Sequence, residues 1–229
     1  MSTPPPRTGP FGLSNRLWLF FAGLAGCAAL LFVRGWYAGD MKFRFLAWNL
    51  FLAIVPAVAA AAMNRADHRG HTVPAITWGV IWLLFLPNAP YLITDLVHLH
   101  PRPPVPYWYD IGLFAAFAGA GVLAAFSSLA DVQRVVHRHW NRWAGWIVVG
   151  LASFAAGFGV ELGRMERWNS WDLLTQPEDL LRSIGSRLIA PWSHPRALAV
   201  AALYGSLLLF GYIAVRVIMA ARPHDDPRH

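Results

Sequence analysis

Residues 86–100 read LPNAPYLITDLVHLH. The stretch closes an apolar run that starts near Ile76, long enough to cross a hydrocarbon core, which takes about 20 helical residues. Yet it carries two prolines, an asparagine, a tyrosine, an aspartate and two histidines. Asn88, Tyr91, Asp95 and His98 are spaced three, four and three apart, so they share one face of a helix. Polar groups at membrane depth are costly without partners, and a whole face of them marks a candidate site. The residue before a proline is pushed away from helical geometry, so Leu86 and Ala89 are the expected break points. Asn88 is then placed to cap the second half. A break at this depth must line a cavity or meet side chains.

Outward from this stretch, the composition is that of a membrane protein. Of 229 residues, 56% are hydrophobic and 14% charged, which is too apolar for an ordinary soluble domain. Six spans are predicted, at 17–37, 45–63, 76–96, 111–130, 143–163 and 197–221. The fold class is all-α: a polytopic bundle of six transmembrane helices forming one domain over 17–221. A polar, proline-rich cytoplasmic lead (1–16) precedes it and a loose tail (222–229) follows. The net charge of +7 does not point to nucleic acid, because the basic residues are scattered among short loops, where they set orientation and meet headgroups. Of twelve tryptophans, eight (Trp36, Trp108, Trp140, Trp143, Trp146, Trp168, Trp171 and Trp192) fall near span ends, as interfacial anchors do. The single cysteine, Cys27, excludes an intrachain disulfide and a cysteine-cluster metal site. It closes a Leu24-Ala25-Gly26-Cys27 lipoprotein-like box, but the apolar run continues past it, so an uncut first span is the better reading.

Polar residues gather a second time at 159–172, GVELGRMERWNSWD, where the fifth span ends. Glu161 and Arg164 are three apart and are expected to pair along the helix. Arg164, Arg167, Trp168, Asn169, Trp171 and Asp172 crowd the same end. Thr175 and Glu178 have the spacing of a capping box. It would open a short amphipathic interfacial helix at 176–190, with Leu180, Leu181, Ile184 and Leu188 on one side and Glu178, Asp179, Arg182, Ser183 and Arg187 on the other. Small residues four apart, Ala116/Ala120, Gly121/Ala125 and Ser153/Gly157, allow close helix packing. Asn49 in the second span reads as a helix-to-helix hydrogen bond, Asp110 as an N-cap, and 131–142 as a polar loop.

An even number of spans puts both termini on one side. The positive residues of the short loops favour the cytoplasm for that side. In either orientation the third and fifth spans end on the same face, so Asp95, His98, Glu161, Arg164 and Asn169 are expected to converge.

The stretches at 87–99 and 163–172 resemble the two signature segments of a bacterial integral-membrane family, domain of unknown function 1361. The resemblance covers most of the chain after the first span and implies a multi-pass protein of the bacterial inner membrane. It marks Pro87, Asn88, Pro90, Tyr91, Thr94, Asp95 and His98, then Gly163, Arg164, Arg167, Trp168, Asn169, Ser170, Trp171 and Asp172. It supplies no activity. The residues themselves support three readings. One is a protein that binds or transports a small polar or anionic ligand through Asn88, Tyr91, Asp95, His98, Arg164, Arg167, Asn169 and Asp172. Another is a membrane-embedded enzyme on a lipid or lipid-linked substrate, with Asp95 and His98 as acid–base candidates. The third is a non-catalytic assembly component, its polar groups serving as helix glue. No cofactor motif is present. Asp95, His98 and His100 form only a loose metal pattern, without HExxH or a complete zinc set. The lipid bilayer is the expected partner, with a small polar ligand or lipid headgroup at the site. The sequence names no protein partner.

Overall fold

The computed structural model describes residues 15–168 and 170–221, with side chains from residue 20 onward except at 174. The expected tail, most of the expected lead and Asn169 lie outside these residues. The chain forms α1 (Asn15–Ala38), α2 (Arg44–His68), α3 (Thr72–Phe85), α4 (Asn88–Thr94) continued by a 3-10 turn (Asp95–His98), α5 (Tyr107–His139), α6 (Arg142–Met165), α7 (Asp172–Thr175), α8 (Pro177–Ile189) and α9 (Pro195–Ala220). Among the described residues there is no strand, and six helical stretches are long and apolar enough to cross a membrane, α3 and α4 together making the third.

α5 is the central helix and touches α1, α2, α4, α6 and α9. The third crossing lies against α2, while its second half also meets α5 and α6. The core around it joins Leu46, Leu50 and Ala53 of α2 to Leu86, Leu92, Leu113, Phe114 and Phe117. Large apolar side chains such as Phe32, Val73, Leu123, Ile147 and Phe210 point outward. In a bilayer such residues face lipid, and close packing replaces the hydrophobic effect as the force between helices.

The small residues supply that packing. α6 lies on α9 where a methyl group on Gly157 would come 2.4 Å from the Ala201 carbonyl oxygen and 2.6 Å from the Gly205 nitrogen. A methyl group on Gly121 of α5 would likewise come 3.1 Å from the Ala89 carbonyl oxygen, so its absence lets α4 approach.

Several local expectations are corrected. α5 runs helical through 131–139, where a polar loop was expected. Buried Val132, Val135 and Val136 continue its apolar face, and beyond them Arg138 and His139 bind Asp67 near the end of α2, at 2.6 and 2.5 Å. Asp110 lies inside the first turn of α5 and makes no N-cap; it is fully buried and faces Arg34 of α1 at 3.4 Å. Arg34 also binds Asp40 and lies 4.3 Å over the Phe43 ring. Asn141 is the side chain that caps α6, accepting from the Ala144 amide at 2.9 Å. The expected capping box of α8 does not form: Thr175 Oγ1 donates backward to Asp172 at 3.2 Å.

The α6–α9 contact makes a direct prediction. Gly157→Ala should destabilise the detergent-solubilised protein by about 1–3 kcal/mol, because backbone must move to admit the methyl group. Gly150→Ala in the same helix meets nothing within 4 Å and should change the thermal midpoint little. Equal midpoints for the two variants would refute close contact at Gly157.

Candidate functional site

The third crossing breaks at Pro87, but it does not unwind. Leu86 keeps right-handed helical angles (φ −54°, ψ −36°), as does Pro87, and Ala89 lies within α4. The expected departure of Leu86 and Ala89 from helical geometry is therefore corrected: the break is a change of hydrogen-bond register. Pro90 has no amide hydrogen to give Leu86, and the Leu86 carbonyl instead accepts from Ala89 at 3.2 Å. That shift takes the usual donor away from Phe85. Asn88 Nδ2 fills the gap, donating to the Phe85 carbonyl at 2.9 Å. Asn88 thus caps the first half of the broken helix through a carbonyl, rather than the second half through an amide. One position earlier, Ser170 Oγ donates to the Leu84 carbonyl at 3.1 Å and accepts from Asn88 Nδ2 at 3.1 Å. A hydroxyl from the second polar segment therefore closes a break in the first.

About two turns further on lies an ion pair. Asp95 is 1% exposed; one carboxylate oxygen accepts from Asn49 Nδ2 at 2.8 Å and the other lies 3.3 Å from Arg164 Nη1. Arg164 also donates to the Tyr91 hydroxyl at 3.3 Å and the Thr94 carbonyl at 2.9 Å, with its carbon 5.4 Å from the Tyr91 ring centroid. Its Nη2 lies 3.2 Å from His98 Nε2, so that ring nitrogen accepts and His98 is neutral with its hydrogen on Nδ1. Three helices meet here: α2 supplies Asn49, the third crossing supplies Tyr91, Asp95 and His98, and α6 supplies Arg164.

Glu161 does not pair with Arg164 as its spacing suggested. It turns to Arg187 of α8, 3.3 Å away, in a charge contact without hydrogen-bond alignment. Arg187 also binds Glu166 and donates to Ser183 Oγ at 2.9 Å. Glu166 accepts from Ser183 at 2.6 Å and from the Trp168 indole at 3.1 Å. The Ser183 hydroxyl is the main influence holding the Glu166 carboxyl below its usual range; burial opposes it, and Trp168 and Arg187 add to it. α8 is thereby pinned to the end of α6.

The expected residues divide as follows. Asn88, Tyr91, Asp95, His98 and Arg164 come together. Arg167 stands apart, exposed and in left-handed conformation (φ 63°), where it ends α6 as the Trp168 amide folds back to the Leu162 carbonyl at 3.2 Å. Asp172 is buried at the start of α7. His100 is exposed, and among the described residues no group of three or more His, Cys, Asp or Glu is arranged to hold a metal. Sequence reasoning missed Arg187, which it placed on the solvent side of α8, and it did not connect Asn49 to Asp95. An asparagine and an aspartate in neighbouring spans, both near the same membrane face, were the available signal.

Beside these residues opens a cleft of about 730 Å³. α2, the third crossing, α6 and the apolar side of α8 wall it, with Leu180, Ile184 and Leu188 forming the α8 wall. Aliphatic and aromatic side chains make most of the surface, among them Trp48, Leu83, Phe154, Phe158 and Trp171. Asn49, Asn88, Tyr91 and Ser170 are its polar groups next to the ion pair, and Asp95 and Arg164 themselves do not line it.

The fold and this site define a polytopic α-helical membrane protein with a broken third crossing tied to the end of its fifth. The family model for "Protein of unknown function (DUF1361)" matches residues 48–210, well over half of the chain and both polar segments, and the protein belongs to that family. No curated protein and no solved structure matches it.

Two measurements probe these contacts. Arg164→Met should cost about 3–5 kcal/mol, because it strands a buried carboxylate. Asp95→Asn should cost less, and the double variant should recover about 1 kcal/mol or more of the summed loss. Strict additivity in detergent unfolding would show that the two side chains are not coupled. For α8, the sign follows from a folded pKa below the unfolded one, about 4.3 for glutamate. Docking is therefore at full strength above that pH and weakens as pH falls through the lower, folded value. A nitroxide on Arg182→Cys should become more mobile on acidification, and Glu166→Gln should remove that pH dependence. Unchanged mobility across the acid range would show that Glu166 does not hold the helix.

Proposed function

We propose that this protein binds an amphipathic, lipid-like ligand within the membrane, with the ligand's apolar body in the cleft beside the broken helix. The observation that carries this reading is the cleft itself. Its volume of about 730 Å³ lies in the range of ligand pockets, which hold mostly apolar surface and a few placed polar groups. Asn88 and Tyr91 are then ligand-contacting residues, joined by Asn49 and Ser170. Asp95, Arg164 and His98 hold the three helices that shape the cleft. Asp95 has both oxygens engaged and Arg164 has four partners, so neither is free to meet a small anion without giving up a contact. The same engagement argues against Asp95 and His98 as an acid–base pair in this conformation.

The positive residues at one end of the bundle, Arg65 and Arg69 at the end of α2, Arg134 and Arg138 in the last turns of α5 and Arg142 at the start of α6, support termini on the cytoplasmic side. On that orientation the ion pair and α8 lie toward the opposite face of a bacterial inner membrane.

The test is retention of ligand through purification. Protein purified in detergent should release an apolar molecule into organic solvent, detected by mass spectrometry. Ala155 is an exposed cleft residue away from the polar groups, and Ala155→Phe should abolish or strongly reduce the recovered molecule. Equal recovery from both proteins, or none from the parent, would overturn the reading.

A further inference from the structure

We infer that the cleft selects a long-chain lipid alcohol, an uncharged ligand whose head both gives and takes a hydrogen bond. The inference rests on the cleft being a ligand site and adds the chemistry of the head. Two observations carry it.

The first is charge. No Lys, Arg, His, Asp or Glu lines the cleft among the described residues. A phosphate or carboxylate head would lose its water and find no counter-ion, and an ammonium head would fare the same, which is severely unfavourable in an apolar setting. Arg164 is the nearest cation to the polar groups, and it is spent on Asp95, Tyr91, the Thr94 carbonyl and His98.

The second is the polarity of the unused hydrogen-bonding groups. Asn88 gives its Nδ2 to Phe85 and Ser170, and Asn49 gives its Nδ2 to Asp95, so both side-chain oxygens remain as acceptors with no partner among the described residues. Tyr91 accepts from Arg164, which leaves its hydroxyl hydrogen to donate. Both amide orientations are forced, because each nitrogen faces an atom that can only accept. Asn88 and Tyr91 are one turn apart on α4 and offer an acceptor and a donor on one side of the helix. An alcohol satisfies both, its hydrogen going to an asparagine oxygen and its oxygen accepting from Tyr91. A hydrocarbon, an ester or a ketone cannot donate and leaves the asparagine oxygens unmet. The remaining wall is apolar from Val80 to Leu188, suited to a long hydrocarbon tail.

The experiment uses the full-length protein in detergent and two probes that differ only at the head: a long-chain alcohol brominated at its tail end, and the phosphate monoester of that alcohol. Bromine quenches nearby indoles, and Trp48, Trp168 and Trp171 line the cleft. The alcohol should quench saturably and bind at least about tenfold more tightly than the phosphate, by the unpaired-charge argument. Tyr91→Phe keeps the ring over Arg164, removes the donor, and should weaken alcohol binding by about fivefold. Ala155→Phe should abolish saturable quenching by the alcohol.

Saturable quenching by both probes that Ala155→Phe abolishes, with the phosphate bound as tightly or more tightly, overturns the alcohol assignment and leaves the cleft as a ligand site. An affinity for the alcohol that Tyr91→Phe does not change also overturns it. Absence of saturable quenching by either probe, or quenching indifferent to Ala155→Phe, removes the cleft reading and this inference with it.

Discussion

A peptide group inside a bilayer has no water to turn to, and this constraint governs the third crossing. Two prolines three residues apart disturb the carbonyls of the turn before them. The protein answers with side chains already held nearby. Asn88 serves the Phe85 carbonyl and Ser170 serves that of Leu84, and these two side chains bind each other. The end of α6 and its following segment must stand against the break for this to happen. Glycine makes that approach possible: a methyl group on Gly159 would come 2.4 Å from the Pro87 ring.

The ion pair depends on the same approach. Burying Asp95 is unfavourable unless its charge is answered and its oxygens are bonded, and Arg164 and Asn49 together do both. Arg164 in turn reaches across about two turns of the third crossing, from Tyr91 to His98. The seal at Pro87 and the pair at Asp95 are thus two fastenings between the same elements. The cleft lies beside them, walled by α2, the third crossing, α6 and the apolar side of α8.

Much of this was legible in the residues. Hydropathy located six crossings, and the three-four-three spacing placed Asn88, Tyr91, Asp95 and His98 on one side of a helix. Parity of crossings put Asp95 and Arg164 at the same end. Finer detail depended on competition between partners that spacing cannot rank. Glu161 has Arg164 three residues away, yet Arg164 goes to buried Asp95, and Glu161 takes Arg187 from a helix docked by tertiary packing. Asp110 has the type and position of a cap, but Arg34 of another helix draws it into the core. The rule for residues before proline failed at Leu86 because the break could be met by moving one hydrogen bond instead of opening the backbone. The cleft had no signature in the chain, since its walls come from four separate segments.

The contact between Ser170 and the Leu84 carbonyl spans 86 residues of chain. At synthesis rates of about 5–20 residues per second, several seconds separate the appearance of the two groups. The third crossing is therefore made before the hydroxyl that serves its Leu84 carbonyl, although Asn88, made with it, already serves that of Phe85. Until Ser170 is in place the Leu84 carbonyl lacks this donor, and a polar backbone group without a partner is costly inside a bilayer, so the break is fully met only once the fifth crossing and the segment after it have followed.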